Sequence, residues 1–377
     1  MTTDQAPASA SDPSNENSGE QAASDATPGM SPENATNSQP LEAEALWLRA
    51  ARSPELRRET VPPPGPGEIR VQALVSGVSH GSEMLVYRGE VKSELELDLP
   101  ALAGSFAFPI KYGYASVGRV ESVGHDVRGF APGDLVFVHH PHQSAYVVAA
   151  ECAIRLPEET SPEQGVFLAN LETAINVLLD TPLHLGETVV VFGQGTVGLL
   201  ITQLLKRAGI ARVLAVEPRE SRREAALQVG ADGALAPEDA VVERVQALTG
   251  SRGADVAIEV SGTAQALQSA IDVVADEGTV VAVSWYGTQP VTLDLGAHFH
   301  RGRVHLRSSQ VGRMAPELAL RWDRSRLLSL ARDLLPLLQL EELITHRLPF
   351  ARASEAYRLI ERQPEEVLQV ILTYDEE

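Results

Sequence analysis

Between Trp47 and about Arg155, apolar and polar residues alternate in short runs. "EIRVQALVSGVS" and "YASVGRVESVG" keep the period of two expected of half-buried strands. "APGDLVFVH" reads as a turn entering a strand, with Pro132-Gly133 as the breaker, and "HQSAYVVAA" as a further strand. Short strands with Gly/Pro punctuation predict a small barrel-like β domain. The rhythm changes at "SPEQGVFLANLETAINVLLD". Ser161 is placed to cap a helix and Pro162 fits its first turn. Phe167, Leu171, Ile175 and Leu178 then share one face. Beyond this, Val/Ile-rich strands alternate with amphipathic helices: "ETVVVF" with "TVGLLITQLLKRAG", "RVLAVE" with "SRREAALQVG", "ADVAIEV" with "TAQALQSAIDVVAD", then "GTVVAVSW". That pattern means a parallel sheet covered on both faces. From about Val311 the chain reads as helical again, and "ITHRLPF" and "EVLQVILTY" as a closing helix and strand.

The expected organisation is therefore α/β. Residues 1–42 form a disordered acidic tail, 43–160 a β-rich domain completed by 311–377, and 161–310 a doubly wound Rossmann domain. The tail is Ser, Asn, Ala, Pro and acid with almost no large apolar side chain, so it cannot bury enough surface to offset ordering entropy.

The formal charge of -20 sits partly in that tail, and the remainder is still acidic. Phosphate backbones and anionic membranes need clustered positive charge, so neither nucleic acid nor a membrane surface is an expected partner. Cys152 is the only cysteine, which excludes an intrachain disulfide and a Cys-rich metal site. No basic start leads into an apolar run, so the expectation is a cytoplasmic protein. In that setting the sequon at Asn34 reads as chance.

The strongest chemical signal is "VVVFGQGTVGLL". Gly193, Gly195 and Gly198 form G-x-G-x-x-G between an apolar strand and a helix. Gly193 allows the tight turn, Gly195 lets a pyrophosphate approach the backbone, and Gly198 lets helix pack on strand. Thr196 and Val197 belong to the same loop, and the free N–H groups at the helix start can bind phosphate. Glu217 ends the next strand, about twenty residues on, where a carboxylate meets ribose hydroxyls and repels a 2′-phosphate. Arg219, Arg222 and Arg223 follow and are able to hold such a phosphate instead. The balance favours NAD, with NADP as the alternative.

A β-rich domain, an inserted Rossmann domain and a returning segment resemble the medium-chain dehydrogenase/reductase superfamily, with its GroES-like catalytic domain. The resemblance covers roughly Glu44 to Tyr374. It rests on Gly81-Ser82-Glu83 with "YRGE", on "YGYASVGRVESVG", "PGDLVFV", the Gly-rich loop and "THRLPFARASEAYRLI". "SSQVGRMAPELALRWDRSR" and "GVSHGSEM" resemble the branch that includes hydroxyethyl-bacteriochlorophyllide dehydrogenase. The superfamily implies hydride transfer between nicotinamide and an alcohol/carbonyl pair or an activated double bond, and commonly a homodimer, for which "VSWYGTQPVTLDLG" is the candidate strand. In the zinc-using members the ligands come from "CGTD", "GHE" and a Cys, Asp or Glu. Here those positions read His80, Gly113-Tyr114-Ala115 and about Ala169, so no zinc is expected. A rebuilt site would have to recruit Glu83 or Glu172 beside His80.

Without zinc another group must polarise the carbonyl. Ser82 matches the family's proton-relaying hydroxyl. Tyr114 stands where a ligand would project and can donate a proton or hydrogen bond, or simply fill the vacated volume. His80 can orient either, or make a structural hydrogen bond. His139, His140 and His142 in "VFVHHPHQSAY" read as loop surface or pocket wall, because neighbours on a strand face opposite ways. Ser261, Ser309 and Gln310 match positions that line the nicotinamide in relatives. The leading reading is an NAD(P)-dependent oxidoreductase acting on a small-molecule alcohol or carbonyl without catalytic zinc. A zinc-free NADPH-dependent quinone or enone reductase and a non-catalytic dinucleotide sensor are the alternatives.

Overall fold

Two sheets carry most of the architecture, and each follows the rhythm of its own part of the chain. The computed structural model describes residues 39–97 and 104–374; the tail up to residue 38, with Asn34, lies outside them. Regular structure is present from Leu41, slightly ahead of the expected end of the tail. There β1 (Leu41–Ala50) pairs with β2 (Ser53–Val61) as a hairpin.

The β-rich part continues with β3 (Glu68–Val78), α1 (Ser82–Arg88), β4 (Ile110–Lys111), β5 (Ser116–Val123), β6 (Leu135–Val138), β7 (Ala145–Ala149) and β8 (Ala153–Arg155). Next come α2 (Pro162–Gly165) and α3 (Leu168–Asp180). Ser161 caps α2 as expected: its Oγ accepts the Gln164 N–H at 3.1 Å, and Gln164 Oε1 accepts the Ser161 N–H at 3.1 Å.

The alternating segment gives β9 (Thr188–Phe192), α4 (Thr196–Arg207), β10 (Arg212–Val216), α5 (Glu220–Gln228), β11 (Gly233–Leu235), α6 (Val241–Leu248), β12 (Ala254–Glu259), α7 (Ala264–Val273), β13 (Val274–Ala282), α8 (His298–Arg301) and β14 (His305–Ser308). Its six strands are parallel, in the order β11-β10-β9-β12-β13-β14. β9 is buried throughout, as a central parallel strand must be. Ligands bind such sheets at the carboxyl ends of the strands, where the strand order reverses beside β9.

The chain then forms α9 (Arg324–Leu334), β15 (Ile344–Pro349), α10 (Ala353–Arg362) and β16 (Gln369–Thr373). β16 returns to β3, pairing Leu372 with Ser76 and Val370 with Val78. The second sheet runs β15-β16-β3-β5-β6-β8, with β7 also on β3. Two expectations need correction. "ITHRLPF" is mostly strand, not helix: Ile344–Pro349 gains backbone partners from β16, and the helix begins only at Ala353. "VSWYGTQPVTLDLG" contains no strand beyond Ala282, since Gly287, Pro290 and Gly296 interrupt it. The parallel sheet has β14 at one edge and β11 at the other.

Candidate active site

Glu83, one residue into α1, organises the surroundings of Ser82. It is fully buried. Its carboxylate accepts the Ser79 N–H at 2.9 Å, the Nε2 of His142 at 2.8 Å and the Tyr357 hydroxyl. With Nε2 donating, His142 Nδ1 accepts from the Ser76 hydroxyl at 2.7 Å, and Ser76 Oγ meets the Tyr374 hydroxyl at 2.8 Å. A fully satisfied buried network of this kind fixes one arrangement of the elements it joins. Those elements are β3, α1, α10 and the chain end. Gly113 completes the packing: φ is +127°, and a Cβ there would stand 2.8 Å from the His142 ring.

Ser82 and Tyr114 are brought together, with Ser82 Oγ 3.0 Å from the Tyr114 hydroxyl. Burial pushes the Tyr114 phenol above its ordinary range, against hydrogen bonds with Ser79 and Ser82 that act downward. It therefore stays protonated at neutral pH, and either hydroxyl of the pair can donate to the other. His80 makes no hydrogen bond to either residue. Its Nε2 is buried without a partner. Burial pulls the imidazole down to about 3, helped by the positive charges of Arg222 and Arg219. His80 thus lies within the field of the cofactor-side arginines.

The three histidines of "VFVHHPHQSAY" are not loop surface; all are buried. β6 ends at Val138 and the chain turns inward, where each ring finds its own partner. His139 Nε2 lies 3.0 Å from Glu172 Oε2. His140 stacks on Tyr146 with ring centroids 3.7 Å apart, and burial pulls it down to about 3. His142 bridges Ser76 and Glu83. Glu172 also accepts from Arg324 Nε at 2.9 Å. Burial alone would raise Glu172, but His139 and Arg324 outweigh it and hold it low. Arg324 comes from α9, 152 residues away, and no local signal announces it. Both acids suspected of rebuilding a zinc site are thus committed elsewhere. Among the described residues no group of three or more His, Cys, Asp or Glu is arranged to hold a metal ion. The donor set does not fit zinc.

The Gly-rich loop has the geometry its sequence calls for. Gly193 has φ +96°, and a Cβ there would stand 2.8 Å from the Ser261 backbone. A Cβ on Gly198 would lie 2.1 Å from the Gly193 carbonyl oxygen. A Cβ on Gly195 would meet only Arg222 Nη1, at 3.8 Å, so the space beside it is open. Gly195 caps α4, whose first-turn amides are free to bind phosphate. Thr196 turns its hydroxyl to the Leu368 carbonyl at 3.0 Å, and Val197 packs partly into the core.

Glu217 is buried at the end of β10 and accepts the N–H groups of Gln194 at 2.8 Å and Arg219 at 3.1 Å. Arg223 Nη1 donates to the Glu217 and Pro218 carbonyls. Arg222 Nη2 donates to the Pro364 carbonyl at 2.9 Å and the Val367 carbonyl at 2.6 Å. Ser261 is exposed beside Gly193; its N–H and hydroxyl both go to Glu259 Oε1. Ser309 donates to Asp180 Oδ2 at 2.6 Å, and Asn176 reaches the Gln310 carbonyl at 3.3 Å. The structure holds these two serines by acids that the sequence did not flag.

Residues 65–165 match the alcohol dehydrogenase GroES-like domain, and residues 196–324 match the zinc-binding dehydrogenase family. The chain belongs to the zinc-binding alcohol dehydrogenase, or medium-chain dehydrogenase/reductase, superfamily. It is an NAD(P)-dependent enzyme of that superfamily. The dehydrogenase is similar to D-guloside 3-dehydrogenase of Escherichia coli K12, at 29% identity over 81% of this chain and 93% of the relative. It is also similar to L-threonine 3-dehydrogenase of Pyrococcus horikoshii, at 28% identity over 81% and 91%. A short chain alcohol dehydrogenase of Escherichia coli CFT073, solved with NADH, shares the fold with a TM-score of 0.73. Its identity is 20%, covering 88% of this dehydrogenase and 99% of that chain. No helix among the described residues is long and apolar enough to cross a membrane.

Proposed function

We propose that the chain is an NAD-dependent oxidoreductase that interconverts an alcohol and a carbonyl without catalytic zinc, using Ser82 and Tyr114 as the oxygen-binding pair. The observation that carries this is the 3.0 Å contact between Ser82 Oγ and the Tyr114 hydroxyl, where the family pattern would place a metal ligand. The nicotinamide, when bound, supplies or takes the hydride. A protonated Tyr114 donates to the substrate oxygen and stabilises the charge that grows on it as hydride arrives. Ser82, 3.0 Å from the Tyr114 hydroxyl, relays the proton between Tyr114 and solvent, and Glu83 holds Ser82 in place through the Ser79 turn.

The preference for NAD is supported by the cofactor-side charges. Arg222 Nη2 and Arg223 Nη1 donate to backbone carbonyls, Arg219 Nη1 lies 3.6 Å from Glu217 Oε1, and Glu217 stands where a 2′-phosphate would be repelled. Arg222 Nη1 and the unpartnered Nε2 of His80 suit the diphosphate instead. Gly193, Gly195, Gly198, Ser261 and Ser309 are the residues proposed to surround the cofactor. The resemblance to the bacteriochlorophyllide branch rests on two short segments and gives no substrate.

The test is elemental analysis of purified full-length protein, with turnover measured before and after mild chelation. The expected result is activity that survives chelation, little bound zinc, and loss of about 100-fold or more in kcat for Tyr114→Phe. One tightly held zinc per chain, with activity lost on its removal, would overturn the metal-free reading. Turnover of quinones with NADPH but of no alcohol or ketone would move the protein to the reductase class.

A further inference from the structure

Four aromatic side chains form a row leading to the Ser82–Tyr114 pair, and hydride transfer itself requires none of the outer three. Trp285 stands just past β13 and is 40% exposed. Its ring lies 5.8 Å from that of Phe106, tilted by 59°. Phe106 lies 5.6 Å from Tyr112 at 56°, and Tyr112 lies 6.2 Å from Tyr114 at 76°. Tyr114 then meets Ser82. Tyr112 is buried and backs the row, whereas Phe106 and Tyr114 keep part of their surface open.

The row crosses from one domain to the other. Trp285 belongs to the Rossmann part and the other three to the β-rich part. The loop carrying Trp285 is pinned to the end of α1: the Thr288 N–H donates to the Glu90 carbonyl at 3.0 Å, and Gly287 (φ +61°) leaves no room for a Cβ, which would lie 2.4 Å from the same oxygen. Ser82 begins that helix. Tilted aromatic contacts at these distances are the favoured geometry for ring on ring. A flat ring entering beside Trp285 and Phe106 gains the same kind of contact.

We infer that this row is the substrate subsite and that the substrate is an aryl carbinol or aryl ketone, with its ring against Trp285 and Phe106 and its oxygen at Ser82 and Tyr114. The inference rests on the proposed reading of that pair. In the oxidising direction the carbinol C–H bond breaks, its electron pair leaves as hydride to NAD+, and the hydroxyl proton departs through Tyr114 and Ser82 to solvent.

The experiment compares kcat/KM of the full chain with NAD+ for 1-phenylethanol and 1-cyclohexylethanol, in wild type and in Trp285→Ala. The expected result is an aryl preference of about tenfold that falls to near unity in the variant. Equal values in wild type, or a preference indifferent to Trp285, overturn the inference. A binding measurement separates this from failure of the chemistry. Acetophenone and cyclohexyl methyl ketone are titrated into protein with NADH, following tryptophan fluorescence; the other tryptophans are Trp47 and Trp322. Tighter acetophenone binding, with a quench absent in Trp285→Phe, supports the subsite even if neither alcohol turns over. Equal binding of the two ketones, or no binding of either, overturns it.

Discussion

Two alanines, three residues apart, separate what the Gly-rich loop does for the fold from what it does for the cofactor. In Gly198→Ala the new Cβ stands 2.1 Å from the Gly193 carbonyl oxygen, a backbone atom that cannot step aside. Helix α4 must back away from β9, and overpacking of that kind costs about 1–3 kcal/mol. In a chain of 377 residues that lowers Tm by only about 1–1.5 °C for each kcal/mol. In Gly195→Ala the new Cβ meets only Arg222 Nη1, at 3.8 Å, and the residue's φ of -76° suits any side chain. The free protein should be unchanged, or stabilised by about 0.4–1 kcal/mol through the unfolded state. The methyl group instead occupies the approach of the diphosphate. Losing one charge-assisted hydrogen bond there is worth about 1.5–3 kcal/mol, or roughly 10- to 150-fold in Kd. Calorimetric titration of NADH with thermal melts of both variants checks this. Wild-type affinity in Gly195→Ala, or equal destabilisation by both alanines, refutes the assignment of the loop.

His80→Ala should weaken NADH binding by about tenfold while leaving kcat within roughly twofold, since Nε2 lies in the field of the cofactor-side arginines and makes no bond to the reacting pair; a large fall in kcat at unchanged Kd would return His80 to the proton path. Acid should destabilise the chain between about pH 6.5 and 3. His80 and His140 are neutral when folded down to about 3, yet titrate near 6.5 once unfolded. The unfolded state binds more protons throughout that window, so stability falls as pH falls through it. For buried His140 this amounts to about 2 kcal/mol at pH 5 relative to pH 8. Denaturant melts across pH read the sum, and His140→Phe should flatten the slope. Glu172→Gln should lower stability by about 1–3 kcal/mol, because His139 and Arg324 lose their shared carboxylate; an unchanged melting curve would remove Glu172 as an organiser of that wall.

The elements that were legible in the sequence were those whose partners lie nearby. The alternation of β3 and β5, the Ser161 cap and the glycine spacing of the cofactor loop are all local patterns. What stayed hidden is decided by contacts far along the chain. Nothing near Ile344 says that β16 will supply strand partners, so a tertiary pairing overrode the helical reading. The histidines failed for a related reason. Alternation argued correctly that neighbours face apart, but both sides of this segment are interior: Glu172 receives His139, and Glu83 receives His142. Arg324, Tyr357 and Tyr374 enter the site from the last sixty residues, and only the fold returns them to β3 and α3.

That return also shows how hydrogen bonds hold the turn that carries Ser82. In a zinc site, ligands from separate segments are fixed because one ion must satisfy all of them. Here Glu83 has a comparable duty in hydrogen-bonding terms, since one buried carboxylate collects the Ser79 amide, the His142 ring and the Tyr357 hydroxyl. A buried carboxylate tolerates no idle oxygen, so each donor is drawn to a fixed place. The cofactor side is tied to the same frame. Thr196 and Arg222 grip the carbonyls of residues 364–368, and Gln369 Nε2 donates to the Val78 carbonyl at 3.0 Å, immediately before the Ser79 turn. The Gly-rich loop and the Ser82 turn are thus joined through residues 364–369, the chain that leads into β16 and its first residue.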